Sequence, residues 1–467
     1  MRCAYPHYDS STIIFLVSAA NLKIAQFRLI FHFMKDIHRL ARLARQLEEQ
    51  TAVCKRCGIC QSVCPLFTHT RMEKDIARGK IAVLEGVMTE VVKNADTVLA
   101  QLDRCLLCGR CAAVCPNGVQ TLEIFIKARL LLTEYRGLSW LKKIIFRIVL
   151  VHPGRFERAA AMAARVQNLF FKPGDTQPEI RRPRRGAALF LPDRQVPPLA
   201  AVPFHRIYET TRAEDRKEKR GTVLFYTGCL IDKIFPEVGR ASMAALCHHG
   251  FQADLIENEA CCGIPALAGG DEDTFNRLVA HNMRLITAEK FDWLVSACAT
   301  CTFTIKKLWP QMTGPENEYY QEIQRLAEKT VDITELITGC LPETLPRQTA
   351  DPVCVTYHDP CHLGSSLGVF QAPRKLIEHT AGCQLVEMEE ADTCCGMGGG
   401  FGLTHQKLSA EIGRLKKDRI LNTGCPVVAT ACPACIIQLA GLLAHAGRND
   451  IAVRHPIELY MESPDIS

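Results

Sequence analysis

VLFYTGC (residues 223–229), CCG (261–263) and ACATC (297–301) return later in the chain as VTYHDPC (355–361), CCG (394–396) and ACPAC (431–435). From the first cysteine to the Cys-Cys pair, and from that pair to the Cys-x2-Cys, the steps are 32 and 37 positions in the first copy and 33 and 38 in the second. Chance does not repeat five cysteines at that spacing, so residues 221–312 and 352–460 read as two copies of one module. In each copy an apolar run (Val223–Thr227; Val353–Tyr357) leads to the first cysteine. A helix opened by proline and closed by glycine follows (Pro236–Gly250; Pro373–Gly382). A second short run precedes Cys-Cys-Gly, and a longer helical stretch follows it (Asp271–Lys290; Thr404–Asn422). A third run (Trp293–Ala297; Val427–Ala431) enters the Cys-x2-Cys, which starts another helix. Strands alternating with helices predict α/β units on parallel sheets. The cysteines then fall past strand carboxyl ends, where open α/β sheets hold ligands. One site per module is expected: Cys229, Cys261, Cys262, Cys298 and Cys301, then Cys361, Cys394, Cys395, Cys432 and Cys435.

Nearer the N-terminus, Cys54-x2-Cys57-x2-Cys60-x3-Cys64-Pro65 is matched by Cys105-x2-Cys108-x2-Cys111-x3-Cys115-Pro116. This is the two-cluster ferredoxin signature, in which three close thiolates wrap one [4Fe-4S] cubane and the fourth reaches across to the other. Cys54, Cys57, Cys60 and Cys115 are therefore candidates for cluster 1, and Cys105, Cys108, Cys111 and Cys64 for cluster 2. Structural zinc closes with four ligands in two pairs and does not account for matched runs of four ending in proline. A largely helical dicluster domain is expected over 34–135, with one helical stretch, about Glu73–Ala100, between the runs. The overall class is α+β: this domain, then the two α/β repeats.

Composition agrees with metal. The chain has 24 cysteines in 467 residues, 48 % hydrophobic and 23 % charged residues, and a net charge of +6. That is too dilute for a disulfide scaffold, too apolar for disorder and too balanced for a nucleic-acid partner. The apolar run Thr12–Ala20 is far short of the ~20 residues that span a bilayer. Residues 1–33 are read as a doubtful extension, with Met34 the start, and the chain as cytoplasmic, where clustered thiols mean metal more often than disulfide. Residues 136–220 form a helical extension and a Pro/Arg-rich linker carrying Arg181, Arg182, Arg184 and Arg185. Within it, WLKKIIFRIVLV (140–151) is a basic amphipathic segment that can pack on its own protein or lie at a membrane surface.

The repeated modules resemble the cysteine-rich CCG domain of heterodisulfide reductase subunits, anaerobic glycerol-3-phosphate dehydrogenase electron-transfer subunits and glycolate oxidase iron–sulfur subunits. A dicluster domain followed by two such modules, over about 34–460, resembles the glycolate and lactate oxidase type in particular. In heterodisulfide reductases each complete motif is associated with a non-cubane [4Fe-4S] cluster held by five cysteines, and both motifs are complete here. Four soft thiolates also suit zinc, so iron–sulfur and zinc stay open for the two modules.

The resemblance implies an electron-transfer subunit of an FAD-linked glycolate or D-lactate dehydrogenase. It would take electrons from a separate flavoprotein in a hetero-oligomer and pass them to a quinone or membrane acceptor at the inner face of the cell membrane. A heterodisulfide reductase-like catalytic subunit that reduces a disulfide, or an anaerobic glycerol-3-phosphate dehydrogenase electron-transfer subunit, is the alternative. His358, Asp359 and His362 flank Cys361. They are read as hydrogen-bond or proton donors to a cofactor, or more simply as caps, His358 of a strand end and Asp359 of the next helix. Gly396–Gly402, with its GMGGGFG sequence, is expected to wrap the cofactor or a partner's approach surface rather than bind a dinucleotide. Cys3, Cys247, Cys340, Cys354, Cys383 and Cys425 fit no ligand spacing and are expected as buried small hydrophobes.

Overall fold

A computed structural model describes residues 39–173, 180–184, 195–211, 220–346, 349–463 and 466. The extension 1–33 with Cys3, Met34 and parts of the linker (174–179, 185–194, 212–219) lie outside the described residues.

The N-terminal part is helical. Residues 39–51 form a helix, and Pro65–Thr70, Ala77–Met88, Ala95–Asp103 and Thr121–Arg136 follow. Their inward faces (Leu47, Ile81, Leu84, Val98, Leu102, Ile124, Phe125) form one core. The stretch between the cysteine runs is thus broken into two main helices. The second is capped by Asn94, whose side chain accepts from the Thr97 N–H.

The helical extension continues as Trp140–Lys143, a π-helical turn Ile144–Leu150 and the helix Pro153–Phe170. One face of 140–151 packs on its own protein: Arg147 pairs with Asp271 at 3.0 and 3.1 Å, and Lys142 donates to the Gly269 carbonyl. The other face leaves Trp140, Leu141, Ile144, Ile145 and Ile148 exposed. In the linker, strands β1 (Phe171–Pro173) and β2 (Arg181–Pro183) pair antiparallel, and the helix Phe204–Thr211 buries Phe204.

Each repeat is a four-stranded, all-parallel sheet. The first has β3 (Gly221–Phe225), β4 (Phe251–Leu255), β5 (Trp293–Ser296) and β6 (Thr330–Asp332) in the order β4-β3-β5-β6. The second has β7 (Val353–Tyr357), β8 (Cys383–Leu385), β9 (Val427–Ala429) and β10 (Ala452–Arg454) in the equivalent order β8-β7-β9-β10. Helices cover both faces of such a sheet, so its strands are continuous apolar runs. Val223, Leu224 and Phe225 are all buried accordingly. The helix Glu272–Ile286 is capped by Asp271 and turns Phe275, Leu278, Val279, Met283 and Ile286 inward at helical spacing.

The modules are packed on each other. The helix Pro236–His248 of the first lies against Pro456–Met461 of the second, and Ile333–Thr338 lies against Gln371–Glu378. His249 Nε2 sits 2.9 Å from the Tyr460 hydroxyl across this seam. The dicluster region touches both modules. Arg129 donates to the Ala268 carbonyl at 3.0 Å, and Leu66 and Leu106 cluster with Phe401 and Ile412.

The unassigned cysteines among the described residues depart from expectation: Cys247, Cys340 and Cys383 are only half-buried, and two others pair with each other. Cys354 on β7 and Cys425, two residues before β9, are joined as a disulfide with Cα atoms 4.9 Å apart. Neighbouring parallel strands bring them together: Val355 is in register with Val427. No helix of the described residues is long and apolar enough to cross a membrane.

Candidate metal centres

The two N-terminal runs enclose two cavities. One is lined by Cys64, Cys105, Cys108 and Cys111 together with Lys80 and Phe125. The other is lined by Cys54, Cys57, Cys60 and Cys115, with Cys111 at the wall between them. Each run therefore sends its fourth cysteine to the other run's cavity, and four thiols around a closed space are the donor set a cubane requires. Gly58 and Gly109 follow the second cysteine of each run in left-handed conformation, turning the chain so that successive sulfurs face one centre. The outer cavity reaches the surface at the exposed Cys57, whereas Cys108 on the inner one is buried. Burial drives the Cys108 thiol well up and the Cys111 thiol to about 12. A positive metal centre is what would overcome that preference for the protonated form.

In each repeat the five cysteines come together past the strand ends. Cys229 neighbours Cys261, Cys261 neighbours Cys262, Cys262 neighbours Cys301, and Cys301 neighbours Cys298. The second module repeats the row: Cys361, Cys394, Cys395, Cys435, Cys432. The Cys262–Cys301 and Cys395–Cys435 sulfurs are 3.7 and 3.5 Å apart. The second cysteine of each pair takes the thiolate character: neighbouring S–H groups stabilise its anion, lowering Cys262 well and Cys395 to about 5. Gly263 and Gly396 make the turn after each pair at φ 93° and 90°. A Cβ on Gly396 would meet the Ser409 carbonyl oxygen at 2.6 Å.

The two sites are not separate. Cys298 of the first module and Cys432 of the second are neighbours across the seam, and the Ala299 N–H donates to the Ala431 carbonyl at 3.1 Å. All ten sulfurs form one row through the seam. At its far end Cys108 of the inner N-terminal cavity adjoins Cys361 and Cys394. His362 stands where the three parts meet. Its Nε2 donates to the Leu107 carbonyl at 3.1 Å, which leaves Nδ1 to accept from the Thr300 hydroxyl at 3.2 Å, and Thr300 is 3.6 Å from Cys432 Sγ. The ring stacks on Phe303 at 4.8 Å. Gly398 of the glycine run seats against Leu106, so that run closes the contact between the dicluster loop and the second site.

Neither cap expected beside Cys361 forms. Asp359 makes a bidentate ion pair with Arg374, two bonds of 2.8 Å, because it is 3 % exposed and a buried carboxylate needs a cation. His358 is fully buried, and among the described residues neither ring nitrogen has a hydrogen-bond partner. Its ring lies beside Cys395 and Cys435, and burial pushes its pKa down to about 3, so the imidazole is neutral.

Comparison with known proteins gives this geometry a family. Residues 50–119 match the 4Fe-4S dicluster domain, and residues 223–306 and 355–440 match the cysteine-rich domain. Lactate utilization protein A of Bacillus licheniformis is 30 % identical over 236 residues, which cover 50 % of this chain and 97 % of that protein. The chain belongs to this family of iron–sulfur subunits. A probable glycolate oxidase iron-sulfur subunit of Bacillus subtilis is 23 % identical over 435 residues, 90 % of this chain and 95 % of the other. One subunit of the fumarate reductase (CoM/CoB) of Methanothermobacter marburgensis is 34 % identical over 235 residues; the match spans 50 % of this chain and under half, 45 %, of that protein.

Several residues around the centres of this iron–sulfur subunit carry no signal in the sequence. Glu259 is half-buried two residues before Cys261, and its carboxylate accepts the backbone N–H groups of Thr227 and Gly228 at 2.8 and 2.6 Å, clasping the turn that presents Cys229. At the matching place of the second module Asp392 instead pairs with Arg110 of the dicluster loop at 2.7 Å. Arg129, 5 % exposed, donates to the Leu102 and Cys105 carbonyls at 2.6 and 2.8 Å and so fixes the second run. Lys80, also buried, donates to the Asp75 carbonyl beside the inner cavity. Such cations favour thiolates and an anionic cluster.

Proposed function

We propose that the chain is the electron-transfer iron–sulfur subunit of an FAD-linked 2-hydroxy-acid dehydrogenase, acting on glycolate or D-lactate, in a hetero-oligomer with a separate flavoprotein. The observation that carries this reading is the unbroken line of cysteines from the exposed Cys57, through the two N-terminal cavities, into ten sulfurs shared by both modules. When bound, iron–sulfur clusters would supply one-electron transfer between reduced flavin and a quinone or other membrane acceptor. Cys54, Cys57, Cys60 and Cys115 would hold one cubane, and Cys105, Cys108, Cys111 and Cys64 the other. Cys229, Cys261, Cys262, Cys298 and Cys301 would hold a further centre, and Cys361, Cys394, Cys395, Cys432 and Cys435 a fourth. The protein's own part is to exclude water from the inner sulfurs, fix their spacing and hold cations near them. The relatives' glycolate and lactate names support the substrate class. The exposed apolar face Trp140–Ile148, with Lys143 on it, supports a position at the inner face of the cell membrane.

A second reading is favoured by one observation: complete five-cysteine motifs that meet at Cys298 and Cys432 suit a site where a disulfide substrate is reduced. Tagged full-length chain, purified without oxygen from its own cells, separates the two. A co-purifying flavoprotein that reduces a quinone analogue with glycolate or D-lactate supports the first. A flavin-free partner with disulfide-dependent oxidation of the clusters overturns it in favour of the second.

A further inference from the structure

The two modules differ at one position that faces their sulfurs. Three residues before its first cysteine the first module has Tyr226 and the second has His358. The Tyr226 hydroxyl donates to the Ala260 carbonyl at 2.6 Å and is satisfied there. His358 in the same place has no such bond at either nitrogen among the described residues, although it is 0 % exposed. Leaving a buried polar group unpaired is costly. Its polar neighbours are already engaged: Asp359 by Arg374, the Lys416 ammonium by the carbonyls of Glu390 and Ala391, and the Ala391 carbonyl, which lies toward the ring, by Lys416 and the Asp359 N–H. What does face the ring is a pair of thiols. A ring nitrogen of His358 and the Sγ atoms of Cys395 and Cys435 all lie within 4.8 Å of one another. The two sulfurs are 3.5 Å apart, close to the edge of about 3.8 Å expected for a tetrahedral metal with bonds of about 2.3 Å to sulfur.

We propose that His358 is a metal ligand of the second module, its imidazole nitrogen joining Cys395 and Cys435 on one metal ion. The second site is then mixed nitrogen and sulfur, and the first, with Tyr226, is all sulfur. This rests on the reading that the second module holds metal. The neutral imidazole is the form that ligates, and a neutral imidazole on the metal, in a position an anionic thiolate could otherwise take, makes it easier to reduce. The two sites would differ in potential although their cysteines match one for one.

The test uses the full chain, purified anaerobically and grown with 15N-histidine or natural histidine. Iron in the second site is read by pulsed electron paramagnetic resonance after reduction, and zinc by X-ray absorption at the zinc edge. The expected result is a directly bound histidine nitrogen that disappears in His358→Tyr, the residue the first module carries, and survives in His362→Gln. His358→Cys should keep the metal, lose the nitrogen and, with iron, lower the reduction potential, a response a packing role would not produce. Metal in the second module with only sulfur around it overturns the proposal alone. So does a nitrogen that persists in His358→Tyr. If Cys395→Ser costs the chain no metal, the second module is empty and the proposal falls together with the reading beneath it.

Discussion

Arg374→Met isolates the ion pair that sets the approach to Cys361. The guanidinium makes two 2.8 Å bonds to Asp359, also pairs with Glu387, and lies over the Tyr357 ring at 5.1 Å. The Asp359 side chain is 4 % exposed, so removing its partner leaves an uncompensated charge in the interior. Breaking a buried pair from one side destabilises by roughly 3–5 kcal/mol, which at about 2–4 °C per kcal/mol lowers the melting temperature by about 10 °C. Asp359 stands two residues from Cys361, so metal should be lost from the second module first. Thermal unfolding followed by circular dichroism, with metal content measured before the melt, reads both effects. Adding Asp359→Asn to Arg374→Met should recover part of the loss by removing the stranded charge. Arg448→Met, at a solvent-exposed pair with Asp450, should leave the melt unchanged. An Arg374→Met protein that melts with Arg448→Met would refute the argument that Asp359 depends on this cation.

Gly396→Ala should destabilise the second module by roughly 2–4 kcal/mol, because it adds left-handed strain to the 2.6 Å approach to the Ser409 carbonyl; denaturant unfolding measures it. Glu259→Ala strands two buried N–H groups and should cost roughly 2–6 kcal/mol, with metal lost from the first module and not the second by analysis of the purified variant. His249 is pushed down to about 4 by burial and by His248. Its folded-state value is depressed, so the unfolded chain takes the proton first as pH falls below about 6.5, and stability is lost between there and about 4. The ring is only half-buried, so the loss is about 1 kcal/mol after screening. Unfolding at pH 7 and pH 5 should show it in the natural chain and not in His249→Phe.

The repeat was legible because five cysteines at near-identical spacing constrain where each strand must end. The runs Val223–Thr227, Trp293–Ala297 and Val353–Tyr357 appear as β3, β5 and β7, mostly apolar and buried toward their carboxyl ends as parallel strands of a covered sheet are. The fourth strands, β6 and β10, were not legible, since three residues such as Thr330–Asp332 carry no periodicity. The meeting of Cys298 with Cys432 was equally hidden. It depends on how one module's helices pack on the other's, and no local pattern encodes that. The same holds for Cys354 and Cys425, whose spacing of 71 residues is meaningful only once β7 and β9 are known to be neighbours. Arg129 and Glu259 look like ordinary surface charges until their backbone partners are seen.

The central claim is that the cysteine-rich modules carry redox centres continuous with those of the dicluster domain. Iron and zinc per chain, measured on full-length protein kept free of oxygen, test it most directly. The account predicts about 12 to 16 iron per chain, four for each occupied cluster. About 8 iron with zinc present would confine electron transfer to the N-terminal domain, and fewer than about 6 would contradict the dicluster assignment itself.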